Sequence, residues 1–242
     1  MKVILLFFLL LFSYRISAAP TREAFALEER PISGVPVDAF ELADDNLTIE
    51  LWARSPMIYS PVAMDFDAKG RLWLTEGLDY QRGLRVQEGR SIIVLEDKNW
   101  DGKADSSHVF VTEKDIRHAA LGIAVFDNRI VLSSTPSIIV YTDVNRNAVF
   151  DEGIDKREVF LTGFRDASHD HTLHAVVGAP SGQWHFSYGN RGADIRTKDG
   201  RHHISGCYYG YSDAIGKKSS DGEVYVGGMT MRVNPDGTGL TS

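Results

Sequence analysis

The feature that most restricts this chain is an internal repeat. The run Ser91-Ile-Ile-Val-Leu-Glu-Asp97 returns 46 residues on, from position 91 to position 137, as Ser137-Ile-Ile-Val-Tyr-Thr-Asp143. A polar loop follows each copy, and then a second matching run, Val109-Phe-Val-Thr112 and Val159-Phe-Leu-Thr162. Periods of this length mark architectures in which one supersecondary unit is stacked on the next. Two more strand-like runs precede each hairpin. In the first copy they are Val62-Ala-Met-Asp-Phe66 and Arg71-Leu-Trp-Leu-Thr75, and in the second Gly122-Ile-Ala-Val-Phe126 and Arg129-Ile-Val-Leu-Ser133. A third copy opens with His174-Ala-Val-Val-Gly178 and Gln183-Trp-His-Phe-Ser187. Apolar alternation, β-branched and aromatic enrichment, and Gly, Asn or Asp in the turns predict antiparallel strands.

Four strands per unit, repeated, predict an all-β chain of β-propeller type. The blades are expected at about 62–112, 122–162 and 174–233, within a partial propeller spanning 47–242. The third carries an insertion rich in Gly, Lys, His and Ser near 192–220. The run Leu47-Thr-Ile-Glu-Leu-Trp52 reads as a further strand, of the sort that completes a last blade. About three blades are thus present, and the remaining blades are expected outside this sequence. Trp73 and Trp184 occupy matching strand positions and are assigned to the core.

The N-terminus sets the expected compartment. Lys2 precedes an unbroken apolar run over 3–12, and Ser17, Ala18 and Ala19 follow, the layout of a secretory signal peptide over 1–19. An N-terminal extension over 20–46 would then lead into the propeller. The apolar run is shorter than the ~20 residues that span a bilayer, so membrane association would come only through an uncleaved N-terminus. These features predict export to the periplasm or the cell surface. The net charge of −7 argues against nucleic acid, whose phosphates call for a basic face. Cys207 is the single cysteine, so the chain has no internal disulfide and no C-x-x-C-H haem attachment; it is expected as a small buried residue.

Two groups of residues carry possible chemistry. Asp97, Asn99, Asp101 and Asp105 stand at positions 1, 3, 5 and 9 of a loop with Gly102 at position 6, a spacing that suits Ca2+. Asp143, Asn145, Asn147 and Asp151 repeat it without the glycine, and neither loop has a Glu at position 12. The alternative is a plain polar hairpin turn, since tight turns demand the same residues. The second group is His169-Asp170-His171-Thr-Leu-His174, the densest set of titratable side chains. Imidazole serves as general base or metal ligand near neutral pH. A metal-dependent hydrolase or lactonase is one reading, although Leu173 stands where a paired-metal motif needs Asp. The other reading has two polar loop histidines, with His174 packed in the blade. His202 and His203 are expected to be solvated.

Over about 35–240 the chain resembles the propeller domain of the membrane-bound dehydrogenases abundant in planctomycetes. The residues that carry the likeness are Val62-Ala-Met-Asp-Phe-Asp-Ala-Lys-Gly-Arg-Leu-Trp-Leu-Thr-Glu-Gly77, the loop ending at Asp105, Phe164, Asp170-His-Thr-Leu-His-Ala175, Trp184, and Gly228-Met-Thr-Met-Arg-Val-Asn-Pro-Asp-Gly-Thr-Gly-Leu240. More distantly it is similar to the soluble quinoprotein sugar dehydrogenases, six-bladed propellers that use pyrroloquinoline quinone (PQQ) and calcium. This resemblance implies a dehydrogenase oxidising a sugar or related alcohol and passing electrons to a c-type cytochrome. It implies His171, nine residues before Pro180, as the base, and Asn190, ten after Pro180, where those enzymes have an Asp that orients the base. Asn190 can accept a hydrogen bond from the ring but cannot stabilise imidazolium by charge. The resemblance places the Arg-Asn pair that contacts the quinone just past Leu240. The contrasting reading is a non-catalytic propeller used for binding or as a scaffold, because fold alone does not decide function.

Overall fold

The computed structural model describes residues 39–77, 90–113, 120–165, 171–206 and 214–242. Segment 1–19, most of 20–46, His169, Asp170 and Cys207 therefore lie outside the described residues. Everything regular among the described residues is β apart from single 3-10 positions.

The first sheet has the order β1 (Pro61–Phe66), β2 (Leu72–Glu76), β3 (Arg90–Glu96), β4 (Ser106–Glu113). The second repeats it with β5 (Gly122–Phe126), β6 (Arg129–Ser134), β7 (Ser137–Thr142) and β8 (Lys156–Thr162). All pairings are antiparallel. The repeat extends to an irregularity: the register shifts between Ile92 and Ile93 in β3 and between Ile138 and Ile139 in β7. A bulge at the same place in both copies belongs to the unit rather than to a local accident. The third sheet sets β9 (Leu173–Gly178) beside β10 (Trp184–Tyr188), with β13 (Met229–Val233) on β10's far edge. The intervening residues form a separate hairpin, β11 (Ala193–Arg196) and β12 (His203–Gly206).

The sheets stack through apolar side chains. Trp73, Ile92, Val94 and Phe110 of the first meet Ile123, Ile130, Leu132, Ile139 and Tyr141 of the second. Val131, Val140, Phe160 and Leu161 on the second sheet's other face meet Leu173, Val176, Trp184 and Phe186 of the third. Each large apolar side chain so buried contributes about 1.5–3 kcal/mol. Trp73 and Trp184 are 1% and 4% exposed, as core tryptophans should be, and each packs against a phenylalanine of an outer strand: Trp73 on Phe110 (5.1 Å between ring centroids), Trp184 on Phe160 (5.0 Å).

The opening strands of the three sheets run side by side in one direction. Val125 N–H donates to Asp65 Oδ2 (2.7 Å), joining the far ends of β1 and β5. A Cβ at Gly122, at the start of β5, would come within 2.7 Å of Ala175 Cα near the start of β9. One at Gly178, where β9 ends, would strike the Phe126 ring where β5 ends. Such close approach needs residues without side chains. The repeated antiparallel sheets are those read from the repeat; the described residues form three stacked sheets and a separate hairpin, not a closed ring.

One expected strand is not there. Residues 47–52 have no strand pairing among the described residues. Only the segment's last residue, Trp52, reaches the first sheet, joining Ala53, Met57 and Ile58 over Leu72, Leu74, Ile93 and Leu95, while Leu47 and Ile49 stay exposed. It is tied by Ala104 N–H to Trp52 O (2.9 Å). A strand pattern becomes a strand only beside a free sheet edge, and here only Trp52 is packed, partly buried, on a sheet face. No helix among the described residues is long and apolar enough to cross a membrane.

Candidate functional site

His171 stands two residues ahead of β9, and Asn190 two residues beyond β10. The pairing of Leu173 with Tyr188 brings these two strand ends together. Three contacts then fix the pair: Gly189 N–H donates to Thr172 O (2.7 Å), Arg191 N–H to His171 O (3.3 Å), and the His171 ring meets Asn190 through Nδ1···Oδ1 at 2.8 Å. Gly189 is what permits this approach, since a Cβ there would lie 2.6 Å from the His171 carbonyl. With the Asn190 amide oxygen facing the ring, Nδ1 is the donor of this bond, which in a neutral imidazole makes Nε2 the acceptor nitrogen. That tautomer is the one a general base needs. His171 is exposed, Asn190 half-buried and His174, within β9, half-buried. The pair sits where the opening strands begin, at the end to which Ala120 is also pinned by Thr75 Oγ1 (2.8 Å).

The two polar loops are copies of each other in three dimensions. Asp97 accepts from Asp101 N–H (3.2 Å) and Gly102 N–H (2.9 Å), and Asp143 accepts from Asn147 N–H (3.2 Å) and Ala148 N–H (2.9 Å). Gly102 has φ +85° and Ala148 φ +61°, so the second loop holds the left-handed turn without the glycine. The Asn99 amide donates to both Asp101 (3.1 Å) and Asp105 (3.3 Å), which joins three of the four expected ligands. Among the described residues no group of three or more His, Cys, Asp or Glu forms a metal cluster by itself. The first loop becomes a set of four oxygen-bearing side chains only with Asn99 counted, and that all-oxygen chemistry fits a hard cation such as Ca2+. In the second loop Asn145 and Asn147 both donate to Asp151 (2.7 Å each), and Asp155 caps the Val144 and Asp151 N–H groups (2.7 Å each).

Two further polar clusters escaped the sequence reading. Glu113, at the end of β4, accepts from Tyr141 OH (2.5 Å) and Arg157 Nε (2.6 Å), linking the first two sheets. Burial, then the bond to Glu113, pushes the Tyr141 hydroxyl well above its ordinary range. In the insertion, His203 is not solvated as expected. Its Nε2 bonds Asp194 Oδ1, its side chain is 13% exposed, and Lys217 Nζ lies 3.0 Å from the other Asp194 oxygen. Burial alone would raise the Asp194 carboxyl, but the bonds from Lys217 and His203 outweigh it and hold it below its usual range.

With this geometry in place, comparison with known proteins gives a family. Residues 37–229 match the family described as a domain of unknown function, DUF7133. The chain belongs to DUF7133. No curated protein matches it. Among solved structures, this DUF7133 chain is similar to a Trichoderma reesei protein of Carbohydrate-Active Enzymes Family AA12, with TM-score 0.41, 16% identity, and coverage of 58% of this chain and 32% of the other. It is also similar to a provisionally assigned gluconolactonase, with TM-score 0.39, 15% identity, and coverage of 64% and 49%. A xylan beta-1,4-xylosidase from Bacillus halodurans gives TM-score 0.34 at 17% identity, covering 76% and 33%. The DUF7133 chain thus spans between a third and a half of the length of these structures, and the likenesses concern fold alone.

Proposed function

We propose that this DUF7133 chain is part of a six-bladed propeller enzyme, a quinoprotein-type dehydrogenase that oxidises a sugar or related alcohol. The observation that supports this reading is the His171 Nδ1–Asn190 Oδ1 contact of 2.8 Å, which orients an exposed imidazole as a base requires. His171 Nε2 would take the hydroxyl proton of the substrate as the carbon gives up hydride. PQQ, when bound, supplies the hydride acceptor. Asn190 would hold the ring in one orientation, and Gly189 would let Asn190 come close enough to do so. Because Asn190 brings no charge, the imidazolium formed on proton transfer lacks the carboxylate that usually stabilises it. Ca2+ on Asp97, Asn99, Asp101 and Asp105 would be structural, tying β3 to β4 far from His171. The apolar segment over 3–12 supports export to the periplasm or cell surface, where a c-type cytochrome would take the electrons.

The test is an assay of the complete protein reconstituted with PQQ and Ca2+, using sugars and polyols as substrates and a redox dye as acceptor. His171→Ala should lower the rate ~10²-fold or more. Asn190→Asp should raise it, because a carboxylate favours imidazolium. Absence of PQQ binding by the complete protein, or a His171→Ala rate equal to the parent's, would leave a non-catalytic binding or scaffold propeller as the better reading.

A further inference from the structure

At the other end of the first sheet, the β1–β2 turn (67–70) and the β3–β4 loop (97–105) hold an indole out in solvent. Trp100 is 77% exposed. Its backbone has φ +60°, as does Arg146 at the same place in the second loop, so the loop's hydrogen bonds set the backbone there and the sequence chooses only the side chain. The two choices do different things. Arg146 turns its guanidinium onto Asp127 of the β5–β6 turn in a two-pronged pair, 2.6 Å on each side. Trp100 makes no such bond. It rests a ring edge over Gly70, where a Cβ would come within 3.1 Å of its Cη2 and 3.5 Å of its Cζ3. The ring is therefore steadied at one edge and left mostly open to solvent.

Beside it lies a recess of about 230 Å3, bounded also by Lys69, Arg71, Glu96 and Lys98. Its charges cancel. Arg71 is neutralised by Asp67 at 2.6 Å, Lys98 faces Glu96 at 3.6 Å, and Lys69 and Asp97, of opposite sign, both line the rim. Such a balance selects neither an anion nor a cation. What remains is a flat aromatic plate with hydrogen-bond donors and acceptors at its rim, in a space below the ~300 Å3 at which sites for drug-sized ligands begin. A single pyranose ring has the matching chemistry, with apolar C–H faces to lie on an indole and a rim of hydroxyls for carboxylate and ammonium groups. An aromatic ring with one apolar body and a polar edge is suited to such mixed surfaces.

We propose that Trp100 and this recess form a subsite for one neutral pyranose unit of a polysaccharide, stacked on the indole and held by Glu96, Lys98 and Lys69. Because β1, β5 and β9 run the same way, Trp100 and His171 lie at opposite ends of the strand row. At ~3.3 Å per residue, a six-residue strand separates them by about 20 Å along the strands. The subsite therefore anchors carbohydrate and takes no part in chemistry at His171, and it stands whether or not the dehydrogenase reading does.

The experiment is native electrophoresis in gels carrying hydroxyethyl cellulose, xylan or galactomannan, against a sugar-free gel. The parent protein should be retarded in at least one of them. Trp100→Ala should run as in the sugar-free gel, a loss of ~10-fold or more in apparent affinity, while Trp100→Tyr should retain most of the retardation. His171→Ala should be retarded like the parent. Equal urea midpoints for the parent and Trp100→Ala would show that folding is intact. Parent protein unretarded in all three gels, or Trp100→Ala retarded as strongly as the parent, would overturn the proposal.

Discussion

Replacing Asp67 by Asn changes one atom's chemistry in the most heavily bonded turn of the first sheet. Asp67 Oδ1 accepts from Lys69 N–H (2.9 Å) and Arg71 N–H (3.0 Å), while Oδ2 accepts from Arg71 Nε (2.6 Å) and Trp73 Nε1 (2.9 Å). The side chains of Asp67 and Arg71 are 4% and 13% exposed. An asparagine that keeps its oxygen on the turn must point an NH2 at two donors, and one that flips loses the turn instead. Either way a largely covered guanidinium loses its counter-charge and a charged hydrogen bond, which costs about 1.5–3 kcal/mol. That is a large share of a typical domain stability of ~5–15 kcal/mol. The loss is read from urea unfolding at pH 7, followed by tryptophan fluorescence, since Trp73 sits at the bond that breaks. The difference should also depend on pH. Burial by itself would raise the Asp67 carboxyl, but the bonds from Trp73 and Arg71 outweigh it and hold it below its usual range. A depressed carboxyl stabilises the folded state above the unfolded pKa of ~3.9, and that stabilisation fades as pH falls through the folded value. The parent and Asp67→Asn curves should therefore stay apart above about pH 5 and converge as the pH drops below ~4. A loss under ~1 kcal/mol at pH 7, or a gap unchanged down to pH ~3, would refute the reasoning.

Gly189→Ala should lower dehydrogenase activity in step with the loss of the His171–Asn190 bond, because its Cβ would sit 2.6 Å from the His171 carbonyl; NMR of the His171 ring should report the changed hydrogen bond, and an unchanged ring signal would contradict this. Millimolar Ca2+ should raise the melting temperature by binding the folded loop, and Asp101→Ala should abolish the shift; a shift that survives in the variant would place the ion elsewhere.

The repeat made the two complete sheets legible, because strand alternation and turn residues are local properties. Opposite Ile92/Ile93 and Ile138/Ile139, β4 and β8 each carry one extra residue, Phe110 and Phe160, because the same local sequence meets the same neighbours. His171 and Asn190 were legible through family likeness and spacing, and the strands beside them turned that spacing into a contact. Residues 47–52 have a strand's composition, yet pairing needs an edge elsewhere in the fold; only Trp52 found a place, on a sheet face, and Leu47 and Ile49 stayed exposed. His203 looked like a loop histidine because nothing near it in sequence says that Asp194 and Lys217 will close around it. Glu113, Tyr141 and Arg157 come from three strands and meet only because two sheets stack. Periodicity and turn chemistry thus determined the strands and their order within each complete sheet. Which polar groups met across sheets and loops was decided by tertiary packing, since burial forces polar side chains to find partners wherever the fold supplies them.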